Sequence, residues 1–181
     1  MKKFLCLVLC IVLALSFTAC GKKASNKSSH SVDVQYFAKL GQINDLDYRL
    51  GGDVEESKAK LAETLDDHEW SNYFDFESDD YTVMTDGTVF CCYKTENADA
   101  GITHIAKCGD AYGFSLGSIS TQVRDTMSEM GFDATERNAK RSEIFFLPTA
   151  SDMTVLEYEI KDCTILFVFQ EHALCAAVIT K

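Results

Sequence analysis

The 181-residue chain carries 28 acidic and 17 basic side chains, which gives a formal net charge of −11 at neutral pH. A charge of that sign repels the phosphate backbone of nucleic acids and attracts cations and basic proteins, so we expect no nucleic-acid partner. Hydrophobic residues make up 46% of the chain and aromatic residues 11%, which is ample for a folded core.

The N-terminus has the layout of an export signal. Met1-Lys2-Lys3 is positively charged, and the twelve residues from Phe4 to Leu15 are all apolar. A permanent transmembrane helix needs about 20 such residues, whereas a cleavable signal needs fewer. We therefore expect residues 1–19 to be removed. Because Lys2 and Lys3 leave with them, the net charge would change from −11 to −13.

The next residues, Phe17-Thr18-Ala19-Cys20, resemble the lipobox of bacterial prolipoproteins, although the position three before the cysteine is more often Leu than Phe. The resemblance implies cleavage before Cys20, a diacylglycerol on its sulfur, and anchoring at the extracytoplasmic face of the cell membrane. The alternative is an ordinary secretory signal that contains a cysteine. Residues 21–31 are too polar to fold, so we expect residues 20–33 to be a flexible tether.

Two stretches of the remaining chain are repeated. Ala38-Lys39-Leu40-Gly41 matches Ala106-Lys107-Cys108-Gly109, and Tyr48-Arg49-Leu50-Gly51 matches Phe114-Ser115-Leu116-Gly117. Aligning the last glycines also aligns Leu61 with Met127. Spacings of 66 and 68 residues predict two copies of one supersecondary unit, residues 34–109 and 110–181, with coincidence as the alternative.

A helix signal opens each copy. In the first, Asp53 can cap a helix with Glu56 at the capping-box spacing, and apolar residues recur at helical spacing over 54–65. Residues 32–40 are ambiguous between a strand and a short helix. The second helix is predicted from Ser118 or Ser120 as the cap, Ile119, Val123, Met127 and Met130 as the apolar stripe, and Gly131 after its C-terminus.

Strand signals follow each helix, and together they predict an α+β fold of two tandem units, each a helix followed by a four-stranded antiparallel meander. The strands of the first unit are expected at 70–77, 81–84, 88–93 and 101–107, with Asp86-Gly87 as a hairpin turn. Those of the second are expected at 142–147, ended by Pro148, and at 156–161, 164–169 and 174–180.

A duplicated helix-and-meander unit behind a lipobox resembles the architecture of the β-lactamase-inhibitor-protein class and of small bacterial lipoproteins with related units. The resemblance covers residues 38 to 181 and rests on the aromatic-x-Leu-Gly turn, the helix and the strand order. It implies two sheets side by side with a concave face, in a protein that binds other proteins rather than catalysing a reaction. No contact residue of that inhibitor can be carried over, because this chain lacks its specific motifs.

The richest local feature is residues 66–81, the acidic–aromatic segment. It contains the acids Asp66, Asp67, Glu69, Asp75, Glu77, Asp79 and Asp80 and the aromatic residues Trp70, Tyr73, Phe74, Phe76 and Tyr81. One interpretation is a core face backed by a solvated face. The other is a surface that attracts a basic protein or peptide. The candidate binding residues are Trp70, Tyr73, Asp75, Glu77, Asp79 and Asp80.

Catalytic signals are weak. The chain lacks the H-E-x-x-H, Gly-x-Ser-x-Gly, Walker and dinucleotide motifs, and its acids lack the order of a calcium loop. We therefore expect a non-catalytic binding module without a cofactor or metal. The alternative is a small cell-envelope enzyme that acts on wall polymer or peptide. Its nucleophilic pair would be Cys91 or Cys92 with His104 on an adjacent strand.

Five cysteines follow Cys20: Cys91, Cys92, Cys108, Cys163 and Cys175. Export favours disulfides, but an odd number leaves at least one thiol unpaired unless a second chain supplies a partner. The neighbours Cys91 and Cys92 would point to opposite faces of a strand, so they cannot jointly bind one metal. Small apolar strand residues, one structural disulfide, and redox or metal chemistry all stay open.

Overall fold

The computed structural model describes residues 32–64, 81–147 and 153–181, which fall within the compact unit Ser31–Lys181. The fold is α+β, as predicted. Its helices are α1 (Val34–Leu40), α2 (Val54–Thr64) and α3 (Ser120–Glu129). Its strands are β1 (Tyr81–Thr85), β2 (Val89–Lys94), β3 (Ile102–Cys108), β4 (Thr135–Asn138), β5 (Met153–Ile160), β6 (Cys163–Gln170) and β7 (Ala173–Thr180).

The seven strands form one antiparallel sheet in the order β1-β2-β3-β7-β6-β5-β4. Strands β1 to β3 form one meander and β4 to β7 a second, and the last strands of the two meanders pair with each other. The expectation of two separate sheets is therefore corrected to one continuous sheet. The strand expected at 70–77 lies outside the described residues.

The sheet has two buried faces, because successive strand residues point to opposite sides. The first face contacts the helices: Ile105, Phe167 and Ile179 pack with Leu61 of α2 and Met127 of α3. The second face carries a separate apolar cluster, which also takes in the connection between β4 and β5. The buried members of this cluster are Val83, Phe90, Cys92, Ala106, Ile144, Phe145, Phe146, Met153, Val155, Leu166, Val168, Ala176 and Val178.

The ambiguous segment at the start of the domain is the helix α1. Asp33 caps it, since its Oδ1 accepts a hydrogen bond from the backbone N–H of Tyr36 at 2.9 Å. Gly41 ends it in the left-handed conformation, with φ 67°. The helix buries Val34 and Ala38 against the core and leaves Tyr36 between them 53% exposed, whereas a strand would turn all three side chains to the same face.

The caps of the other two helices differ from each other. Asp53 Oδ1 accepts from the backbone N–H of Glu56 at 2.7 Å, so the predicted cap of α2 is confirmed. The cap of α3 is not Ser118 or Ser120 but Ile119, which makes no side-chain capping bond. Ile119 is also 55% exposed, so it is wrong as a member of the buried stripe.

The two aromatic-x-Leu-Gly turns make the same backbone hydrogen bonds. Gly51 N–H donates to Ile102 O at 2.7 Å, and Gly117 N–H donates to Leu174 O at 2.8 Å. Return bonds run from Ile102 N–H to Gly52 O and from Leu174 N–H to the carbonyl of the residue after Gly117. Each turn is thus fastened to the last strand of the meander that follows it.

One predicted strand is wrong, one match of the repeat is a coincidence, and one strand was missed. Residues 142–147 are not a strand: Arg141–Glu143 is a 3-10 turn, and Leu147 N–H closes a second turn onto Ile144 O at 2.9 Å. The match between residues 38–41 and 106–109 is a coincidence of letters, since Ala38 lies in α1 and Ala106 lies in β3. Strand β4 was missed because its sequence, Thr135–Asn138, is polar throughout.

Candidate functional site

The residues predicted to carry function lie outside the described part of the chain. These are the lipidation site Cys20 and the candidate binding residues Trp70, Tyr73, Asp75, Glu77, Asp79 and Asp80. The structure does describe Tyr81, the last residue of the acidic–aromatic segment. Tyr81 is therefore the point at which this segment enters the described sheet.

Tyr81 opens β1, an end strand of the described sheet, and packs against the second face. Its ring meets the His104 ring edge to face, with the ring centroids 5.5 Å apart. Such pairs add to stability beyond the area that they bury. The acidic–aromatic segment therefore joins the sheet at the outer border of the second face.

His104 is held between aromatic rings on that face. Besides Tyr81 it contacts Phe145, with centroids 6.3 Å apart, and its Nδ1 lies 3.0 Å from the hydroxyl of Thr103. Burial lowers the pKa of His104, and the negative charge of Glu143 opposes that shift. The imidazole is therefore neutral under physiological conditions.

The connection that leaves β4, residues 139–147, lies over the second face, and we call it the strap. Its residues Ile144, Phe145 and Phe146 are buried in the second cluster. The Phe146 ring lies 5.4 Å from that of Phe90 on β2. The strap therefore covers apolar sheet surface next to Tyr81 and His104.

A group of charged side chains fastens the strap to the sheet. Arg137 of β4 donates two hydrogen bonds to the Glu143 carboxylate, at 2.8 and 2.6 Å, and a third to Glu157 of β5 at 2.6 Å. The backbone N–H of Lys140 donates to Glu143 at 2.8 Å. Two carboxylates hold the pKa of Arg137 above its usual value, although burial acts in the opposite direction. Bidentate hydrogen bonds between arginine and a carboxylate fix the relative orientation of the two side chains as well as stabilising the fold.

This ion cluster was missed at the sequence level. Arg137 and Glu143 are six residues apart, which is neither the i,i+3 nor the i,i+4 spacing of a helix pair and is too far for contact along one strand, and Glu157 is far away in sequence. The usable signal was the unbroken apolar run from Ile144 to Leu147 just after Glu143. Four consecutive apolar residues do not alternate, and this counts against a strand with one solvated face.

The proposed nucleophilic pair is partly assembled. Cys92 and His104 face each other across β2 and β3, whereas Cys91 points into the first face. Burial raises the pKa of both thiols, most strongly through loss of hydration, and lowers that of His104. Since a catalytic cysteine must be a thiolate, this environment favours the unreactive form.

A polar cleft of about 280 Å³ lies beside the N-terminus of α2. It is lined by Gln42, Asp47, Arg49, Gly52, Asp53, Glu56, Ser57 and Lys60. The Lys60 ammonium is 2.8 Å from Glu56, which raises the lysine's pKa. Small-molecule sites are mostly lined by apolar groups. The cleft therefore has the character of a hydrated surface depression.

Metal sites and membrane-spanning helices are both absent from the described residues. No group of three or more His, Cys, Asp or Glu side chains there is arranged to hold a metal ion. Nor does that part of the chain contain a helix with the length and apolar character needed to cross a membrane. The described cysteines are all free thiols.

Comparison with protein-family models gave no match, and comparisons with curated proteins and with solved structures gave none either. The resemblance to the β-lactamase-inhibitor-protein class therefore stays a prediction that rests on this chain's own residues. The role of the protein has to be argued from the same residues.

Proposed function

We propose that the protein is a lipid-anchored extracytoplasmic lipoprotein that acts as a non-catalytic binding module for a basic protein or peptide. Its partner-facing surface is the acidic–aromatic segment, continued by Tyr81 at the border of the second sheet face. The observation that carries this proposal is the contact of Tyr81 with His104. It ties the end of a strongly acidic segment to a rigid strand.

The charge of the segment supports a basic partner. Residues 66–80 contain seven carboxylates and neither lysine nor arginine. Carboxylates at that density repel one another, so a cationic partner gains favourable energy by approaching them. Aromatic residues such as Trp70 and Tyr73 in the same segment can supply contact area once the charges have guided the encounter.

The tandem arrangement is part of the proposal. The turns that end at Gly51 and Gly117 make matching hydrogen bonds to Ile102 and Leu174, and each turn is followed by a helix with a fully buried residue at the aligned position. We infer that the two halves are copies of one helix-and-meander unit. In the architecture that they resemble, the paired units present a surface to a protein partner.

The alternative is a small cell-envelope enzyme that acts on wall polymer or peptide. Among the described residues its best nucleophile is Cys92 with His104 as the base. Both groups are held in their neutral forms by burial, which counts against an ion pair between them. The binding module is therefore the better supported of the two functions.

Capture from native membranes tests the partner-facing surface. The variant replaces Asp75, Asp79 and Asp80 by Asn and Glu77 by Gln. We expect it to lose most of the capture, and we expect the association rate of the wild type to fall steeply as salt rises. Unchanged capture by a folded variant would contradict the proposal.

The matched control removes the same number and type of charges elsewhere on the domain. It replaces the exposed residues Asp99, Asp125 and Asp133 by Asn and Glu129 by Gln. This variant should capture the partner as the wild type does, with a similar salt dependence. A loss equal to that of the first variant would mean that only net charge matters.

Detergent phase partitioning tests the anchor. The mature wild-type protein should enter the detergent phase because of the diacylglycerol on Cys20. Cys20→Ala should remain unprocessed or be released in a differently processed form. Partitioning of the mature wild-type protein into the aqueous phase would overturn the anchor and leave an ordinary secretory signal.

A further inference from the structure

Two of the five described cysteines lie next to each other at the junction of the two meanders. Cys108 ends β3 and is paired with Ala176 of β7. The N–H of Gly109 donates to the carbonyl of Cys175 at 3.0 Å, which continues the ladder beyond that pair. Cys108 and Cys175 are therefore diagonal neighbours on adjacent strands.

A bulge turns both thiols to the same side of the sheet. Leu174 pairs with Phe169 and Ala176 pairs with Val168, so Cys175 is the extra residue between them. Cys108 and Cys175 consequently both pack against the second cluster, although Cys175 would alternate to the first face in a regular strand.

The spacing suits a covalent bond. Opposite residues that are not hydrogen-bonded to each other across antiparallel strands have Cα atoms about 4.5 Å apart, and successive residues along a strand rise by about 3.4 Å. A diagonal pair such as Cys108 and Cys175 therefore has Cα atoms roughly 5.6 Å apart. Disulfides join residues whose Cα atoms are about 4.4 to 6.8 Å apart. The Cys175 thiol now donates to Val168 O at 3.2 Å, so rotation about its Cα–Cβ bond would exchange that hydrogen bond for the bridge.

At the equivalent position at the other end of the seam, a side chain reaches the backbone of its diagonal neighbour. Strand β3 carries its own bulge at Thr103, between residues paired with Tyr93 and Cys92. There the hydroxyl of Thr180 reaches the carbonyl of Thr103, with the two oxygen atoms 3.4 Å apart. When β3 is superposed on β7, Thr103 falls on Cys175 and Cys108 falls on Thr180.

We infer that Cys108 and Cys175 form a disulfide that joins β3 to β7 in the exported protein, an inference that rests on the proposed extracytoplasmic location. The other three cysteines stay as thiols. Cys91 and Cys92 are buried on opposite faces, and the Cys163 thiol donates to Ala38 O and Ile160 O at 3.3 Å. One bridge within the chain thus leaves three thiols unpaired and needs no second chain.

The bond forms by thiol–disulfide exchange with an exported oxidoreductase that carries a disulfide. One thiol loses its proton and attacks that disulfide, releasing a thiolate of the oxidoreductase and leaving a mixed disulfide. The thiolate of the second cysteine then attacks the sulfur of the first cysteine in this mixed disulfide, and the oxidoreductase sulfur leaves as a thiolate. In balance, two protons and two electrons leave Cys108 and Cys175, and the oxidoreductase becomes a dithiol.

The local environment sets the pace of this exchange. Burial raises the pKa of Cys108 to about 11, and the neighbouring Cys175 adds to the shift. Burial also raises the pKa of Cys175. Since the thiolate is the attacking species, uncatalysed oxidation should be slow at neutral pH and should accelerate as the pH rises. In the cell the reaction therefore depends on a catalyst.

Peptide mapping tests the bridge in the whole protein. Cells are quenched in acid, free thiols are alkylated under denaturing conditions, and the purified protein is cut with trypsin and a glutamyl endopeptidase. Cleavage after Glu171 separates Cys163 from Cys175, which trypsin alone would leave in one peptide. We expect residues 108–124 linked to residues 172–181, two hydrogens lighter than the separate peptides and split by reduction.

A stability measurement gives a second readout. The bridge closes a long loop, so reduction should lower the Tm of the wild type by on the order of 10 °C. Reduction should leave the Tm of Cys108→Ala and of Cys175→Ala unchanged. Cys163→Ala is the matched control and should keep both the linked peptide and the response to reduction.

The outcomes separate this inference from the proposed function. Alkylation of both cysteines in a lipidated, exported protein would overturn the disulfide alone. Linkage of other cysteines, or failure of oxidised glutathione at alkaline pH to produce the linked peptides from the folded protein, would overturn it too. An unprocessed protein in the cytoplasm with both cysteines alkylated would overturn the location and the disulfide together.

Discussion

Ala106 and Val178 face each other at the middle of the β3–β7 ladder, with two residue pairs on either side. They are 72 residues apart, which is also the separation of Ile102 and Leu174, where the two glycine turns are fastened. The seam between the meanders therefore has an approximate two-fold axis through this pair.

The glycine turns should respond alike to substitution. Gly51 and Gly117 have φ values of 74° and 84°, a region that costs an L-residue about 1–2 kcal/mol. Gly51→Ala and Gly117→Ala should therefore each lower the free energy of unfolding by about that amount. Gly101→Ala should cost more, because its Cβ would lie 2.6 Å from Gly52 O in addition to having a positive φ.

Urea titrations of the three glycine variants make this comparison. Gly87→Ala, in an open hairpin turn with φ 92°, is the matched control for the conformational cost alone. If Gly101→Ala costs no more than Gly87→Ala, the close approach of the Gly51-Gly52 backbone to Gly101 is absent in solution.

Helices α2 and α3 should both be sensitive to truncation of the buried residue at their aligned positions. Leu61 and Met127 have no solvent exposure, as their alignment in the repeat predicted. Leu61→Ala and Met127→Ala should each lower the free energy of unfolding by about 2–5 kcal/mol through loss of packing. Leu116→Ala, at a side chain that is 62% exposed, should change it by less than about 0.5 kcal/mol.

The sequence was most informative where a local pattern decides local structure. The Asp53 cap, the Asp86-Gly87 hairpin and the central strand 164–169 are each readable from a few neighbouring residues, and all three are present. Asp86 Oδ1, for example, accepts from the backbone N–H of Val89 at 2.7 Å. Such signals do not need knowledge of the rest of the fold.

Features that depend on distant contacts were not readable. Strand β4 consists of Thr135–Asn138, whose polar residues form a strand because Arg137 reaches Glu143 and Glu157. Residues 144–147 lie in the strap because their apolar side chains pack on the apolar second face of the sheet. The junction of β3 with β7 required both meanders to exist first. The contact of the half-buried Tyr81 with His104 joins residues 23 apart in sequence, so it too was not readable from a local pattern.

Glu143 should give the protein acid-sensitive stability. Burial alone would raise its pKa, but hydrogen bonds from Arg137 and the Lys140 N–H more than offset this, so the folded pKa is lowered. Its contribution is therefore complete above the unfolded pKa of about 4.3 and is lost as the pH falls through the lower folded value. Glu143→Gln should cost about 1–3 kcal/mol at neutral pH and little in strong acid.

Urea titrations from neutral to acid pH measure this effect. Glu159→Gln, at an exposed position on β5, is the matched control and should follow the wild-type curve. If Glu143→Gln lowers the free energy of unfolding by the same amount in strong acid, the loss comes from the shape of the side chain and not from its charge.

His104 should make the protein less stable under mildly acidic conditions. Burial between Tyr81 and Phe145 lowers its folded pKa, and among the charged groups near it Glu143 acts in the opposite direction. The unfolded state therefore binds a proton at higher pH than the folded state. The free energy of unfolding should fall as the pH drops below about 6.5 and level off below the folded pKa.

The slope of unfolding free energy against pH between neutrality and pH 5 tests this argument. His104→Gln should flatten it, whereas His172→Asn, at an exposed turn position with φ 69°, should leave it unchanged. Glu143→Gln should steepen it, because removing that charge lowers the folded pKa of His104 further and widens the gap from the unfolded value. If His104→Gln retains the wild-type slope, burial of the imidazole under the strap is not the source of the pH dependence.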